Sequence, residues 1–259
     1  MTTQQSALPA APINVAVLRA GLPGLTIDCV ESLPSTQSAV SSNSLLVTEH
    51  QSAGVGRRGN QWLTPAGRSV CLSYRYPTPL PMAQMAGYSV VMAVATLQAL
   101  QHHQADIEVA LKWPNDLLHR NKKFAGILIN LQPSKNQQDP MEVIVGIGIN
   151  WSLTADQLAS VQQPVSNVPL IHLPARDDFI VTLVQQIDQC HEFFVQQGLT
   201  PLLRTWDQHD AFRDQSVRLI TAQGEVHGTC QGLSPCGELM LQTNQGIRHF
   251  SSGEVSLRA

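Results

Sequence analysis

Six short runs rich in branched and aromatic residues, each bounded by Gly, Pro or Asn, constrain this chain most: Thr26 to Val30, Leu45 to Thr48, Val70 to Tyr76, Ile107 to Leu111, Phe124 to Asn130 and Val143 to Ile149. Runs of this length between turn-forming residues read as strands. Few helices interrupt them. The longest helical pattern covers Met82 to Leu100, with Met85, Tyr88, Val91, Met92, Ala95 and Leu100 at helical spacing. A second covers Asp177 to Gln197, with Phe179, Leu183, Ile187, Cys190 and Phe194 on one stripe, and a third follows from Pro201 to Asp210. After Arg213 the character changes to short alternating runs, Val217 to Thr221, Val226 to Leu233, Leu239 to Gln242 and Ile247 to Phe250, joined by turns that each carry a glycine. The expected class is α+β: a mixed sheet flanked by helices over residues 13–212, then a small all-β unit over 213–259 that is too short to stand without packing on the first. Residues 1–12 are polar and Pro/Ala-rich and are expected to be disordered.

Composition excludes several classes. Sixteen basic against 19 acidic residues leave a formal charge of -3, so there is no broad cationic field for nucleic acid. The apolar stretch from Val15 to Leu22 is broken by Arg19 and Gly21, which argues against a signal peptide or membrane span. Five scattered cysteines form no metal-spaced pair and are expected to be reduced thiols in a cytoplasmic protein. Whether the chain forms a homodimer is left open.

Four segments carry chemistry. Glu49 to Trp62 packs Gly54, Gly56 and Gly59 around Arg57 and Arg58; such a loop can wrap a carboxylate or phosphate with N–H groups and guanidinium forks, or be a solvated hairpin tip. Lys112-Trp113-Pro114-Asn115-Asp116 presents a cation and two oxygen-bearing side chains around a proline, suited to phosphate, ribose or hydrated magnesium, or simply to a turn. Asn121 to Asn130 sets a lysine pair before a strand with Gly126, where a lysine can neutralise charge building on an acyl or phosphoryl group. Its bland reading is a hairpin turn with solvated lysines. Val145 to Asn150 contains Gly146 and Gly148 but is too short for a dinucleotide fingerprint, so a pocket wall fits better.

Together, from Ile27 to Arg258, these segments resemble the biotin protein ligases. That family shows a Ser-Thr-Asn near the start, a Gly/Arg loop ending in tryptophan, Lys-Trp-Pro-Asn-Asp, Lys-x-x-Gly-Ile-Leu and Gly-x-Gly-Ile-Asn; this chain carries all five with substitutions. The resemblance implies a class II synthetase-like biotin/lipoate ligase fold with a C-terminal SH3-like β-barrel. It also implies ATP-dependent attachment of biotin, through biotinyl-adenylate with magnesium, to a lysine of a biotin carboxyl carrier protein. Carried over residue by residue, it makes Lys123 catalytic. Ser35, Thr36, Gln37, Gln51, Gly54, Val55, Gly56, Arg57, Lys123, Gly126 and Gly148 surround biotin, and Arg58, Lys112, Asn115, Asp116, Asn150, Arg218 and Arg258 face ATP, with Asp116 on the metal. Lys123 is preferred to Lys122 for its spacing to Gly126. Three positions depart from the family's pattern: Gln37 where Asn is common, Val55 for an arginine and Asn130 for an acidic residue. The segment from Ser152 to Pro169 is a candidate second lid. The chain begins too close to the first matching strand for the winged helix-turn-helix of repressor members, so no direct repressor activity is expected. A lipoate or octanoate ligase and a non-catalytic biotin-binding regulator are the alternatives.

Overall fold

In the computed structural model, which describes residues 11–133 and 140–257, two sheets account for all the strands. The first domain contains helix α1 (Val15–Gly21), strand β1 (Thr26–Leu33), helix α2 (Thr36–Ala39), β2 (Ser44–Gln51), β3 (Ser69–Thr78), α3 (Tyr88–His103), β4 (Ala110–Lys112), β5 (Asp116–His119), β6 (Lys122–Gln132), β7 (Met141–Asn150), α4 (Ala155–Ala159), α5 (Arg176–Gln197) and α6 (Leu203–His209). Its seven strands lie in the order β1-β2-β3-β7-β6-β5-β4; β1 and β2 are parallel and every other neighbour is antiparallel. The second sheet comprises β8 (Ser216–Thr221), β9 (Gly224–Leu233), β10 (Leu239–Thr243), β11 (Gly246–Phe250) and β12 (Glu254–Leu257), all antiparallel in the order β11-β10-β9-β8-β12, the small SH3-like unit.

The two-residue period of the central strands divides the labour between faces. Leu72, Tyr74 and Tyr76 of β3, Ile127 of β6, and Val145, Ile147 and Ile149 of β7 point to one side, where they join the main core with α3 and α5. Because α3 is buried on nearly every side, its sequence is apolar all round rather than striped. The stripe expected on α5, Phe179, Leu183, Ile187, Cys190 and Phe194, is buried as a unit. The opposite face is spare. Ile144 packs there with Val40 and Leu46 under α2, and beyond it the same face of β6 and β7 carries Gly126, Gly146 and Gly148. That bare strip forms the floor of a cavity.

The α+β class with its small β unit is as expected, but several boundaries differ. The helix expected from Met82 begins at Tyr88: Met82–Gln84 is a single 3-10 turn, and Gly87, with φ 76°, breaks the path before α3. A residue with a side chain rarely adopts that angle. The run Ile107 to Leu111 is strand only from Ala110, and the Lys-Trp-Pro-Asn-Asp motif is the turn between β4 and β5, with Lys112 ending one strand and Asp116 opening the next. Helix α1, capped by the Asn14 side chain on Ala16 N–H, forms where only a broken apolar stretch was read. Most of the stretch expected to be disordered, residues 1–10, lies outside the described residues, while the Ala11 carbonyl accepts from Arg176 Nη2 at 2.8 Å. All five cysteines are free, and no described helix is long and apolar enough to cross a membrane.

Candidate active site

The Gly/Arg loop is a small hairpin. Val55 bridges Gln61, Gly56 N–H donates to Asn60 O at 2.7 Å, Trp62 N–H donates to Gly54 O at 2.9 Å, and Arg57–Gly59 make a 3-10 turn. The hairpin delivers Trp62 across the bare strip: a Cβ on Gly148 would overlap the indole, and one on Gly126 would meet the Lys123 ammonium end at 3.0 to 3.1 Å and Trp62 Cζ3 at 3.2 Å. Lys123 Nζ lies 5.3 Å from the Trp62 ring centroid and 2.7 Å from Asp116 Oδ1. A cation is thus held between a carboxylate and an aromatic face, where partial burial strengthens both attractions. The Asn121 turn has the form a tight hairpin requires, with φ of 49° at Arg120 and 61° at Asn121. The bland reading of that turn therefore holds for Lys122, which is exposed, and fails for Lys123, whose side chain is 17% exposed.

Asn115 locks the second motif in place. Its Nδ2 donates to Ile127 O at 2.7 Å, Ile127 N–H returns to Asn115 O at 3.0 Å, and its Oδ1 accepts from Arg57 at 3.2 Å. The turn and the loop are thereby tied to one strand. Trp113, buried, donates from Nε1 to Gly237 O at 3.0 Å and fastens the motif to the second sheet. Burial, then the like charge of Arg58, holds the Arg57 guanidinium below its ordinary pKa, against the opposing pull of Asp116 and Glu254.

At the other end of the strip the wall is polar. Thr36 N–H and Oγ1 donate to Gln51 Oε1 at 2.8 and 3.1 Å, and Gln51 Nε2 donates to Thr64 Oγ1 at 3.3 Å. Ser73 Oγ lies 2.9 Å from both Thr36 Oγ1 and Gln37 Oε1, with one proton to share. Cys71 below them is fully enclosed, and burial pushes its thiol up to about 12.

The resulting cavity, of about 320 Å³, brings together Ser35, Thr36, Gln37, Gln51, Val55, Gly56, Arg57, Lys112, Asn115, Asp116, Lys123, Gly126, Gly148 and Arg218. Three expected residues do not reach its wall. Gly54 is the base of the hairpin, where a Cβ would overlap Trp62 O. Arg58, in a left-handed turn with φ 57°, points to Glu254 at 3.4 Å. Asn150 turns its amide to Ser166 O at 3.0 Å. Arg258 lies outside the described residues. Two of the three departures touch: Gln37 Nε2 donates to Asn130 Oδ1 at 3.2 Å, whereas the third, Val55, is exposed at the mouth.

Sequence reasoning assigned no site role to Trp62, Gln163, Ile220 or Glu254, all of which line the cavity, whereas Gly146, also in the lining, falls in the segment read as a pocket wall. Trp62 was detectable in principle, because a large flat ring in a polar loop and a Gly-x-Gly strand are complementary surfaces. Gln163 had no such signal. It comes from an irregular stretch pinned along β6, where Lys123 N–H donates to Pro164 O and Ser166 N–H to Lys123 O, both at 3.0 Å. The segment expected as a second lid is thus tied down at this end.

The chain is similar to known proteins over both sheets. Residues 28–150 match the Biotin/lipoate A/B protein ligase family and residues 214–258 the Biotin protein ligase C terminal domain. The chain is 32% identical over 224 residues to the bifunctional ligase/repressor BirA of Escherichia coli, covering 84% of this chain and 67% of that protein. It is 28% identical over 223 residues to the biotin–[acetyl-CoA-carboxylase] ligase of Paracoccus denitrificans, covering 83% and 91%. Its fold superposes on the biotin protein ligase from Aquifex aeolicus in complex with biotin and ATP with a TM-score of 0.75 at 25% identity, covering 90% of this chain and 98% of that one. With motifs from five separate stretches meeting in one cavity and matches spanning both sheets, the chain belongs to the biotin protein ligase family.

Proposed function

We propose that this protein activates biotin with ATP and transfers it to a lysine of a biotin carboxyl carrier protein. The observation that carries this reading is the cavity itself, which has a cation over a bare glycine strip at one end and a hydroxyl–amide wall at the other. A carboxylic acid with a polar ring head fits that polarity. Biotin's ureido group offers two N–H donors and a carbonyl acceptor that can join the hydrogen-bond network of Thr36, Gln51 and Ser73, whereas the dithiolane of lipoate offers neither and would set an apolar group against that polar wall.

In the first step a biotin carboxylate oxygen attacks the α-phosphorus of ATP, and pyrophosphate leaves. Two anions must approach in line, so Lys123 contributes by offsetting their repulsion and the charge that builds on the phosphoryl oxygens. Lys112 and Arg218, which also line the cavity, supply further positive charge on the nucleotide side. In the second step the carrier lysine, as a neutral amine, attacks the acyl carbon; the C–O bond to AMP breaks and the amine loses a proton. Trp62 and its hairpin shield the acyl-adenylate from water between the steps.

No group of three or more His, Cys, Asp or Glu suited to a metal occurs among the described residues. One carboxylate beside a phosphate site nevertheless fits magnesium that arrives with its nucleotide, since that ion keeps waters and phosphate oxygens as most of its ligands. Asp116 would hold it, and the ion would supply charge neutralisation on the phosphates. Free thiols at all five cysteines support a reducing, cytoplasmic setting.

The test is biotin-dependent pyrophosphate release from ATP, followed by labelling of an isolated biotin carrier domain, with lipoate in parallel. Labelling with biotin alone is expected; labelling with lipoate alone, or none, would overturn the reading.

A further inference from the structure

Strands β6 and β7 pair Gly126 with Gly148, Leu128 with Gly146 and Asn130 with Ile144. Residues two apart share a face and lie about 7 Å apart along a strand. The first pair is the level of Lys123 and Trp62, and the second, about 7 Å on, is the level of Gln37: a Cβ on Gly146 would overlap Gln37 Oε1. The third pair brings Asn130, which is exposed. Gln37 therefore has the cavity on one side and a solvent-facing residue on the other.

Its carboxamide is fastened by the protein rather than presented for a ligand. Nε2 lies 3.3 Å from Leu128 O, 3.3 Å from Ile144 O and 3.2 Å from Asn130 Oδ1, three acceptors for two hydrogens, while Oε1 accepts from Ser73. With every hydrogen committed, the side chain is a spacer laid flat on Gly146. Because it closes the distance to Asn130, it limits how far a ring head can extend beyond Thr36 and Gln51.

We infer that Gln37, positioned by Asn130 over Gly146, is a specificity-determining end wall that restricts the cavity to carboxylic acids with an unsubstituted ring head. The inference rests on the biotin reading of the cavity. Shortening the side chain opens the strip toward solvent between α2 and the ends of β6 and β7, so ring substituents can pass through instead of colliding.

The test compares the intact protein with Gln37→Ala and Asn130→Ala, measuring ATP-dependent pyrophosphate release with biotin and with biotin carrying a methyl or propyl group on either ureido nitrogen. The unaltered protein is expected to prefer biotin over the propyl acids by about a hundredfold in kcat/KM. Gln37→Ala should narrow that preference by about tenfold or more, chiefly through a lower KM for the substituted acids, and Asn130→Ala should shift it the same way to a smaller extent. Asn130 is exposed, so its variant keeps the test open if Gln37→Ala does not fold. A folded Gln37→Ala with the unaltered preference, no shift in Asn130→Ala when Gln37→Ala is unfolded, or propyl acids used as readily as biotin by the unaltered protein, would overturn the inference. Absence of biotin-dependent release by the unaltered protein would instead remove the functional reading, and this inference with it.

Discussion

Lys123 Nζ lies 2.7 Å from Asp116 Oδ1, so the cation assigned to the reacting groups and the carboxylate assigned to the metal neutralise each other before substrates arrive. Each is kept in place by the other, and an incoming nucleotide and its cation can take over both partners. Removing Lys123 should therefore abolish adenylation rather than weaken it slightly. Lys123→Met is expected to reduce biotin-dependent pyrophosphate release by about a hundredfold or more, with Lys122→Met within a few-fold of the unaltered protein. Equal losses in the two variants would show that the wrong lysine has been assigned.

Gly148 is the position where the Trp62 indole and the sheet touch. A methyl group there overlaps the ring, whose Nε1 is buried without a hydrogen-bond partner among the described residues. Gly148→Ala should push Trp62 out of the groove and raise KM for biotin about tenfold, equivalent to about 1.4 kcal/mol. Tryptophan emission should shift to the red in the same variant. An unchanged spectrum with unchanged KM would mean that the indole does not rest on this strip in solution.

The half-buried Glu49 and the buried Arg176 join β2 to the start of α5 through contacts of 2.8 and 2.9 Å, with Ile13 and Gly67 N–H groups completing the carboxylate's shell. Burial alone would raise the Glu49 carboxyl; the Arg176 and backbone hydrogen bonds outweigh it and hold it below the usual carboxylate range. A depressed carboxylate contributes stability that is complete above its unfolded pKa and is lost as pH falls through the folded one. Arg176→Met should lower stability by about 2 kcal/mol at neutral pH, because it removes the charged hydrogen-bond partner of the half-buried Glu49. The deficit should shrink on acidification. Thermal melts of both proteins from neutral to acid pH check this, and a constant gap would refute it.

Trp113 donates to Gly237 O across the two sheets, and Gly87 packs against Gly237 nearby. Trp113→Phe keeps an aromatic ring but strands the carbonyl and leaves a small void, which should cost about 1 to 3 kcal/mol. Since the same residue belongs to the Lys112–Asp116 turn, KM for ATP should rise with the loss of stability. Calorimetry together with ATP titrations would reveal a stability change without a change in ATP KM, the result that would separate the turn from the interdomain contact.

What was readable without tertiary structure was whatever depends on local spacing. The branched-residue runs of β3, β6 and β7, the stripe of α5 and the turn at Asn121 follow from local residue preference, side-chain periodicity and allowed backbone angles, which act over a few residues. The set of motifs around Thr36, Arg57, Asp116, Lys123 and Gly148 could also be listed in order along the chain. What tertiary structure alone decided was which of them face each other and which turn away. Arg58 meets Glu254, Asn150 meets Ser166, Trp62 lies on Gly148 and Gln37 lies on Gly146 against Asn130. Each of these joins residues from separate segments, and the two contacts on glycine are made possible by the space left on one face of a sheet after the other face has been filled by α3 and α5. Periodicity can say that a glycine leaves room. Only the packed chain decides whose side chain fills it.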